Sequence, residues 1–304
     1  MMSFEKIQQQ IRKLKEEKDA VILAHYYQIP EVQKLADHVG DSFALSKLAA
    51  ELPHQMILFC GVSFMAETAK TLSPEKIVLL PVADAGCPMA DMASEEDVIK
   101  LKAEHPDAAV VSYVNSSTGV KAQSDICCTS ANAVQVIRSL PHPKIIFLPD
   151  ENLGSYAAEK VPEKEFILFN GYCPTHEEVM AIDVKIAREE NPDAILLVHP
   201  ECRSEVRKQA DFVGSTGQII KYVSQSEHNH FIIGTEQGII HPLQEKHPDK
   251  KFTMLSPGFL CPNMKKTTPK DMLRSLENLT VNIELEEELM NQARKPLIRM
   301  LEVK

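Results

Sequence analysis

The chain has 304 residues, 44% of them hydrophobic, enough for one large core or for two or three units of about 100 residues. Its 43 Asp and Glu outnumber 33 Lys and Arg, and no sustained basic stripe offsets the net charge of −10, so neither a nucleic acid nor a membrane is an expected partner. The opening M-M-S-F-E-K-I has no apolar signal region and no run approaches the roughly 18 apolar residues of a spanning helix, so a cytoplasmic protein is expected.

In chain order, Ile7, Ile11 and Leu14 recur at helical spacing and predict an opening amphipathic helix. D-A-V-I-L-A-H-Y-Y from Asp19 then reads as a strand, and A-D-H-V-G-D-S from Ala36 as a short strand before a helix. Q-M-I-L-F-C from Gln55 reads as another strand, followed by a helical stretch and an apolar run that ends at Cys87-Pro88. The same order returns twice. D-A-A-V-V-S-Y-V-N from Asp107 and D-A-I-L-L-V-H-P-E from Asp193 repeat the first strand 88 and then 86 residues on. S-D-I-C-C-T-S from Ser124 and A-D-F-V-G-S-T from Ala210 keep that spacing, K-I-I-F-L-P and H-F-I-I-G-T follow as strand-like runs matching Q-M-I-L-F-C, and the later runs end at Cys173-Pro174 and Cys261-Pro262.

Strands alternating with helices argue for parallel sheets flanked by helices. A period near 87 residues is too long for a solenoid repeat and long enough for a unit to close its own core. The expectation is three pseudo-repeated α/β/α sandwich domains with parallel sheets around a pseudo-threefold axis. Approximate bounds are 1–105 with the N-terminal helix, 106–192, and 193–304 with a C-terminal helical extension in which Pro296 should act as a break.

Ligands of open parallel sheets bind beyond the carboxyl ends of the strands. Matched first-strand ends carry His25, Tyr113 and His199, and two residues on stand Tyr27, Asn115 and Glu201. One such residue would be an ordinary loop hydrogen bond, but six at matched ends suggest a shared site. A second matched set, Asp41-Ser42, Thr129-Ser130 and Ser215-Thr216, precedes helical stretches. These are good helix caps, and helix N-termini also attract anions. No phosphate loop or dinucleotide fingerprint occurs.

Of seven cysteines, an arrangement that disfavours disulfides in a reducing compartment, Cys87, Cys173 and Cys261 are equivalent and each precedes a proline. Three converging thiolates suit an iron–sulfur cluster with one open iron, and zinc with a fourth ligand also fits. Cys60, Cys127, Cys128 and Cys202 have no threefold partners and read as small core residues.

The motifs A-H-Y-Y, G-D-S, F-M-A-E-T-A-K, G-C-P-M-A-D-M, Y-V-N-S-S, C-T-S-A-N-A, L-P-D-E-N-L-G, G-Y-C-P-T-H, H-P-E-C, G-S-T-G and C-P-N-M, in this order over nearly the whole chain, resemble the quinolinate synthase family. The resemblance implies three α/β/α domains around a [4Fe-4S] cluster on Cys87, Cys173 and Cys261. It implies condensation of iminoaspartate with dihydroxyacetone phosphate to quinolinate in NAD biosynthesis, with an aspartate-oxidising enzyme as a possible supplier of the imine. It places His25, Tyr27, Asp41, Ser42, Met65, Tyr113, Asn115, Ser130, His199, Glu201, Ser215 and Thr216 around the site, with Glu201, Tyr27, His25 and His199 as acid-base candidates. A cysteine-rich C-terminal segment found in some members is missing, since Cys261 stands alone in C-P-N-M. Another iron–sulfur hydro-lyase would use the same cysteines, whereas a redox sensor has little use for the matched polar strand ends.

Overall fold

A computed structural model describes residues 3–303 and contains three separate four-stranded sheets whose strands all pair in parallel. The first comprises β1 (Ala20–His25), β2 (His38–Gly40), β3 (Met56–Cys60) and β4 (Ile77–Leu79) in the order β2-β1-β3-β4. The second, β5 (Ala108–Tyr113), β6 (Ile126–Cys128), β7 (Lys144–Leu148) and β8 (Glu165–Leu168), has the order β6-β5-β7-β8. The third, β9 (Ile195–Val198), β10 (Phe212–Val213), β11 (His230–Gly234) and β12 (Lys251–Met254), follows as β10-β9-β11-β12. One topology is thus built three times, as the repeat predicts. The central strands are near-continuous runs of Val, Ile, Leu and Ala buried on both faces, the pattern that helices on either side of a parallel sheet require.

Two charged positions of the repeat are structural. Asp37, Asp125 and Asp211 stand just before the short edge strands, and their carboxylates accept the N–H groups of Ile22, Val110 and Leu196 at 2.9, 2.8 and 2.8 Å. The backbone N–H of each Asp donates to the carbonyl of the same strand residue. The carboxylate therefore adds one rung to a ladder that the edge strand is too short to supply, and no buried N–H is left unpaired. Lys76, Lys164 and Lys250 recur at the same spacing, and each ammonium donates to two backbone carbonyls at or just past the end of a helix. A cation there offsets the partial negative charge of the helix C-terminus.

The ends of the chain close the assembly. Helices Glu95–Glu104 and Ala181–Glu190 lie just before the second and third sheets and bury Val98, Val184 and Ala187 against them. The helix Pro269–Asn278 comes after the third sheet yet buries Met272, Leu273 and Leu276 on the first, beside Ile7 and Ile11 of the opening helix Phe4–Glu17. The final helix Glu287–Glu302 packs Leu297 and Met300 into a core shared by the first two sheets. Pro296, expected as a break, lies inside this helix. Ala293, Pro296, Leu297 and Met300 are all buried, and that packing outweighs the roughly 3 kcal/mol cost of an interior proline. No helix of the described residues is long and apolar enough to cross a membrane.

Candidate active site

Strand ends from all three sheets meet at one cavity of about 170 Å³. Its lining includes His25, Tyr27, Asp41, Ser42, Tyr113, Asn115, Ser130, His199, Glu201, Thr216 and the three matched cysteines, 13 of the 15 residues singled out in the sequence. Met65 is buried in the core shared by the first two sheets and does not line the cavity, although its neighbour Phe64 does. Ser215 is buried as the N-cap of the helix Thr216–Gln225, where its hydroxyl accepts the Gln218 N–H and donates to Asp41. In the second unit the helix begins at Ala133, later than expected, because Asn132 folds back and its side-chain carbonyl accepts the N–H and hydroxyl of Thr129. Ser130 is consequently free to face the cavity.

The two strand-end histidines are held alike. His25 Nδ1 accepts the Tyr27 N–H at 3.1 Å and His199 Nδ1 the Glu201 N–H at 3.3 Å, so in each ring the proton belongs on Nε2. His199 Nε2 then donates to Ser130 Oγ at 3.1 Å. Burial pushes His25 down to about 3 and His199 to about 4, each despite the pull of Glu201, so both rings are neutral at pH 7.

Glu201, 4% exposed, is the focus of the polar contacts. Tyr113 O–H donates to Oε1 at 2.7 Å, and His176 Nδ1 lies 2.9 Å from Oε2. Burial opposes its charge, but His199 and His176 together with these hydrogen bonds outweigh burial and hold Glu201 below the ordinary carboxylate range. Burial acts in the same direction on Tyr27 and Tyr113, but there it prevails, and with the nearby Glu201 charge it pushes both hydroxyls well above their usual range. An ionised carboxylate therefore faces two protonated phenols, an arrangement that separates base from acid.

His176 and Thr235 were not among the residues expected from sequence. Thr235 Oγ1 sits 2.6 Å from the Tyr27 hydroxyl and 3.0 Å from His176 Nε2, and Tyr27 also meets Thr216 Oγ1 at 2.8 Å. With His176 donating from Nδ1 to Glu201, the run Thr216, Tyr27, Thr235, His176, Glu201 forms one directed hydrogen-bond chain. His176 has no match in the other units, where Ala90 and Met264 occupy its place, so comparing repeats could not find it; its sequence signals are its position three residues after Cys173 and its place at the end of the motif G-Y-C-P-T-H. Asn115 Oδ1 is buried without a partner, an acceptor left over for a ligand N–H or O–H. Asp41 caps the helix Ser42–Glu51 through the Ala44 N–H and also accepts the Gly217 N–H and the Ser215 hydroxyl. The N-terminal turn of the third unit's helix is thereby already partly occupied by an internal carboxylate.

Cys87, Cys173 and Cys261 border the cavity as free thiols, while Cys60, Cys127, Cys128 and Cys202 are buried in cores. Each of the three precedes a proline, and backbone N–H groups two or three residues on work to lower each thiol: Ala90 and Met89 on Cys87, His176 on Cys173, Met264 and Asn263 on Cys261. Burial pushes Cys87 up to about 12 and raises the other two, and Cys87 is pushed further by Cys261 as Cys173 is by Cys87. Buried thiols that repel one another as anions need a cationic group to ionise. A single tetrahedral ion with metal–sulfur bonds of about 2.3 Å would draw three sulfurs to within roughly 4 Å of one another. Among the described residues the one set of donor atoms lying within 4.8 Å of each other is instead Cys173, His176 and Glu201, whose spacing is that of the hydrogen bonds from His176. The wider thiol set fits a polynuclear iron–sulfur cluster better than a lone ion.

A family model described as quinolinate synthetase A protein matches residues 9–302. The quinolinate synthase of Caldicellulosiruptor bescii is 55% identical over 302 residues, covering 99% of this chain and 100% of its own. That of Caldicellulosiruptor saccharolyticus is 54% identical over the same length and coverage, and that of Clostridium perfringens strain 13 is 52% identical over 294 residues, 97% of this chain and 98% of the relative.

Proposed function

Because the chain belongs to the quinolinate synthase family, we propose that it makes quinolinate for NAD biosynthesis by condensing iminoaspartate with dihydroxyacetone phosphate, using a [4Fe-4S] cluster on Cys87, Cys173 and Cys261. The observation that carries this reading is the meeting of three repeat-matched thiols with an ionised Glu201 and a protonated Tyr27 in one buried cavity. The two substrates balance quinolinate, one phosphate and two waters with no oxidant required. The cluster accordingly supplies Lewis acidity toward a substrate oxygen or nitrogen rather than electrons.

The protein's own groups move the protons. Glu201, ionised at neutral pH, takes a proton during enolisation, and Tyr27 returns one to a departing hydroxide. Neutral His25 and His199 each keep the ring proton on Nε2, and both line the cavity. Asn115 Oδ1 accepts from the substrate, while Ser42, at a helix N-terminus, and Ser130 offer hydroxyls to its carboxylates and phosphate, and Thr216, whose hydroxyl donates to Tyr27, borders them at the start of the third unit's helix. Tyr113, Asp41, Ser215 and Met65 shape and brace this wall. Iminoaspartate hydrolyses in water, so supply by an aspartate-oxidising enzyme suits the reaction.

The test is to incubate anaerobically purified protein with dihydroxyacetone phosphate and freshly generated iminoaspartate, without NAD, flavin or ATP. Quinolinate should form. A fully loaded protein that gives none, or that strictly requires ATP, contradicts the proposal.

A further inference from the structure

Position 62 of the first unit corresponds to 150 in the second and 236 in the third, and each caps the helical segment that follows the third strand of its unit. The residues there are Val62, Asp150 and Glu236, and both carboxylates are completely buried. Glu236 also borders the cavity, whereas Asp150 does not. Asp150 Oδ1 accepts the Leu153 N–H at 2.7 Å while Oδ2 accepts the N–H of Cys173 at 2.9 Å. Glu236 Oε2 accepts the Gly238 N–H at 2.8 Å while Oε1 accepts the N–H of Cys261 at 3.2 Å. Lys265 is ion-paired to Glu236 at 2.7 Å.

In two units, then, a carboxylate anchored to the rigid start of a helix grips the backbone of a cluster cysteine. The first unit has an apolar side chain at that place, and the Cys87 N–H has no acceptor among the described residues. The backbone two residues before each cysteine is tied alike, the Ser63, Glu151 and Gln237 N–H groups donating to the carbonyls of Ala85, Gly171 and Phe259. The difference therefore lies at the cysteine N–H and at position 86, where Gly stands in place of Tyr172 and Leu260 and an added Cβ would meet nothing within 4 Å. We propose that Asp150 and Glu236 are positioning residues that hold Cys173 and Cys261 ready for the cluster, leaving Cys87 as the mobile third ligand that closes last and opens first. This rests on the cluster reading of the site. Hydrogen-bonding partners behind metal ligands typically carry about 10- to 100-fold in metal affinity, because they fix the ligand's direction before the metal arrives.

Two measurements test it. The first is hydrogen exchange on the unsubstituted cluster-free chain, which needs no variant to fold: the amides of Cys173 and Cys261 should exchange at least about 10-fold more slowly than that of Cys87. Equal exchange at all three overturns the proposal. The second compares loss of visible cluster absorbance to an iron chelator. Asp150→Asn and Glu236→Gln, checked for intact folding by circular dichroism, should release iron roughly 10- to 100-fold faster than the parent. Release at the parent's rate overturns the proposal, while a parent that assembles no cluster at all defeats the functional reading and leaves the exchange result to decide this one.

Discussion

At the scale of single residues, Glu201 carries the heaviest assignment, and its surroundings explain why its neighbours could be guessed only in part. Its partners Tyr113 and His199 occupy matched strand ends and so were legible from spacing alone. His176 and Thr235 were not, because a repeat reveals what three units share, whereas Ala90 and Met264 stand in place of His176, Gly61 and Pro149 in place of Thr235, and the directed chain through these two crosses from unit to unit. Glu201→Gln keeps the size and shape of the side chain but removes the base. The expected result is unchanged iron content and visible spectrum with a rate lower by about 10² to 10⁴. Tyr27→Phe, which removes only the hydroxyl between Thr216 and Thr235, should behave in the same way. Initial rate and iron measured on one preparation decide both, since full cluster with full rate would remove Glu201 and Tyr27 from the chemistry.

At the scale of elements, strand order and the alternation of helices were legible because fully buried parallel strands must be apolar throughout and the repeat fixes their spacing. Helix ends were less so. Pro296 failed as a breaker because tertiary burial overrode local cost, and Asn132 delayed a helix through its own side chain. The acidic residue of each A-D or S-D motif turned out to finish the edge ladder. Asp125→Ala should therefore leave the Val110 N–H unpaired in the core and cost about 1–3 kcal/mol of unfolding free energy. Urea unfolding of the cluster-free chain measures this, and a change within about 0.5 kcal/mol would show that the extra rung contributes nothing.

At the scale of the whole molecule, the first and third units meet so closely at Gly238 that an added Cβ would lie 2.6 Å from the Tyr26 carbonyl oxygen and 2.7 Å from Tyr27 Cα. Both are backbone atoms that cannot swing aside. Gly238→Ala should therefore push the units apart beside Tyr27 and lower both stability, by on the order of 1–3 kcal/mol, and activity; an unaffected variant would show that the contact is slack. Acid should weaken the assembly through its buried histidines. His25 and His199 stay neutral down to about 3 and 4 in the folded chain but protonate near 6.5 when unfolded. Between roughly pH 6.5 and 4 the unfolded chain binds more protons, so stability falls as pH falls through that window, and these two groups add no slope above it. Glu201, depressed in the folded state, extends the loss below its ordinary value of 4.5. Urea unfolding of the cluster-free chain between pH 7.5 and 5 should show this decline, and a flat profile would mean that the two rings are not buried neutral.

On the proposed function, three cysteines, brought together by three copies of one unit, hold a cluster that the other four cysteines do not. Counting iron and acid-labile sulfide per chain after purification without oxygen tests it most directly, in the parent, Cys173→Ala and Cys202→Ala proteins. The expected result is about four of each in the parent and in Cys202→Ala, and a colourless Cys173→Ala protein with neither. A single iron without sulfide in the parent, or a full cluster surviving in Cys173→Ala, would contradict it.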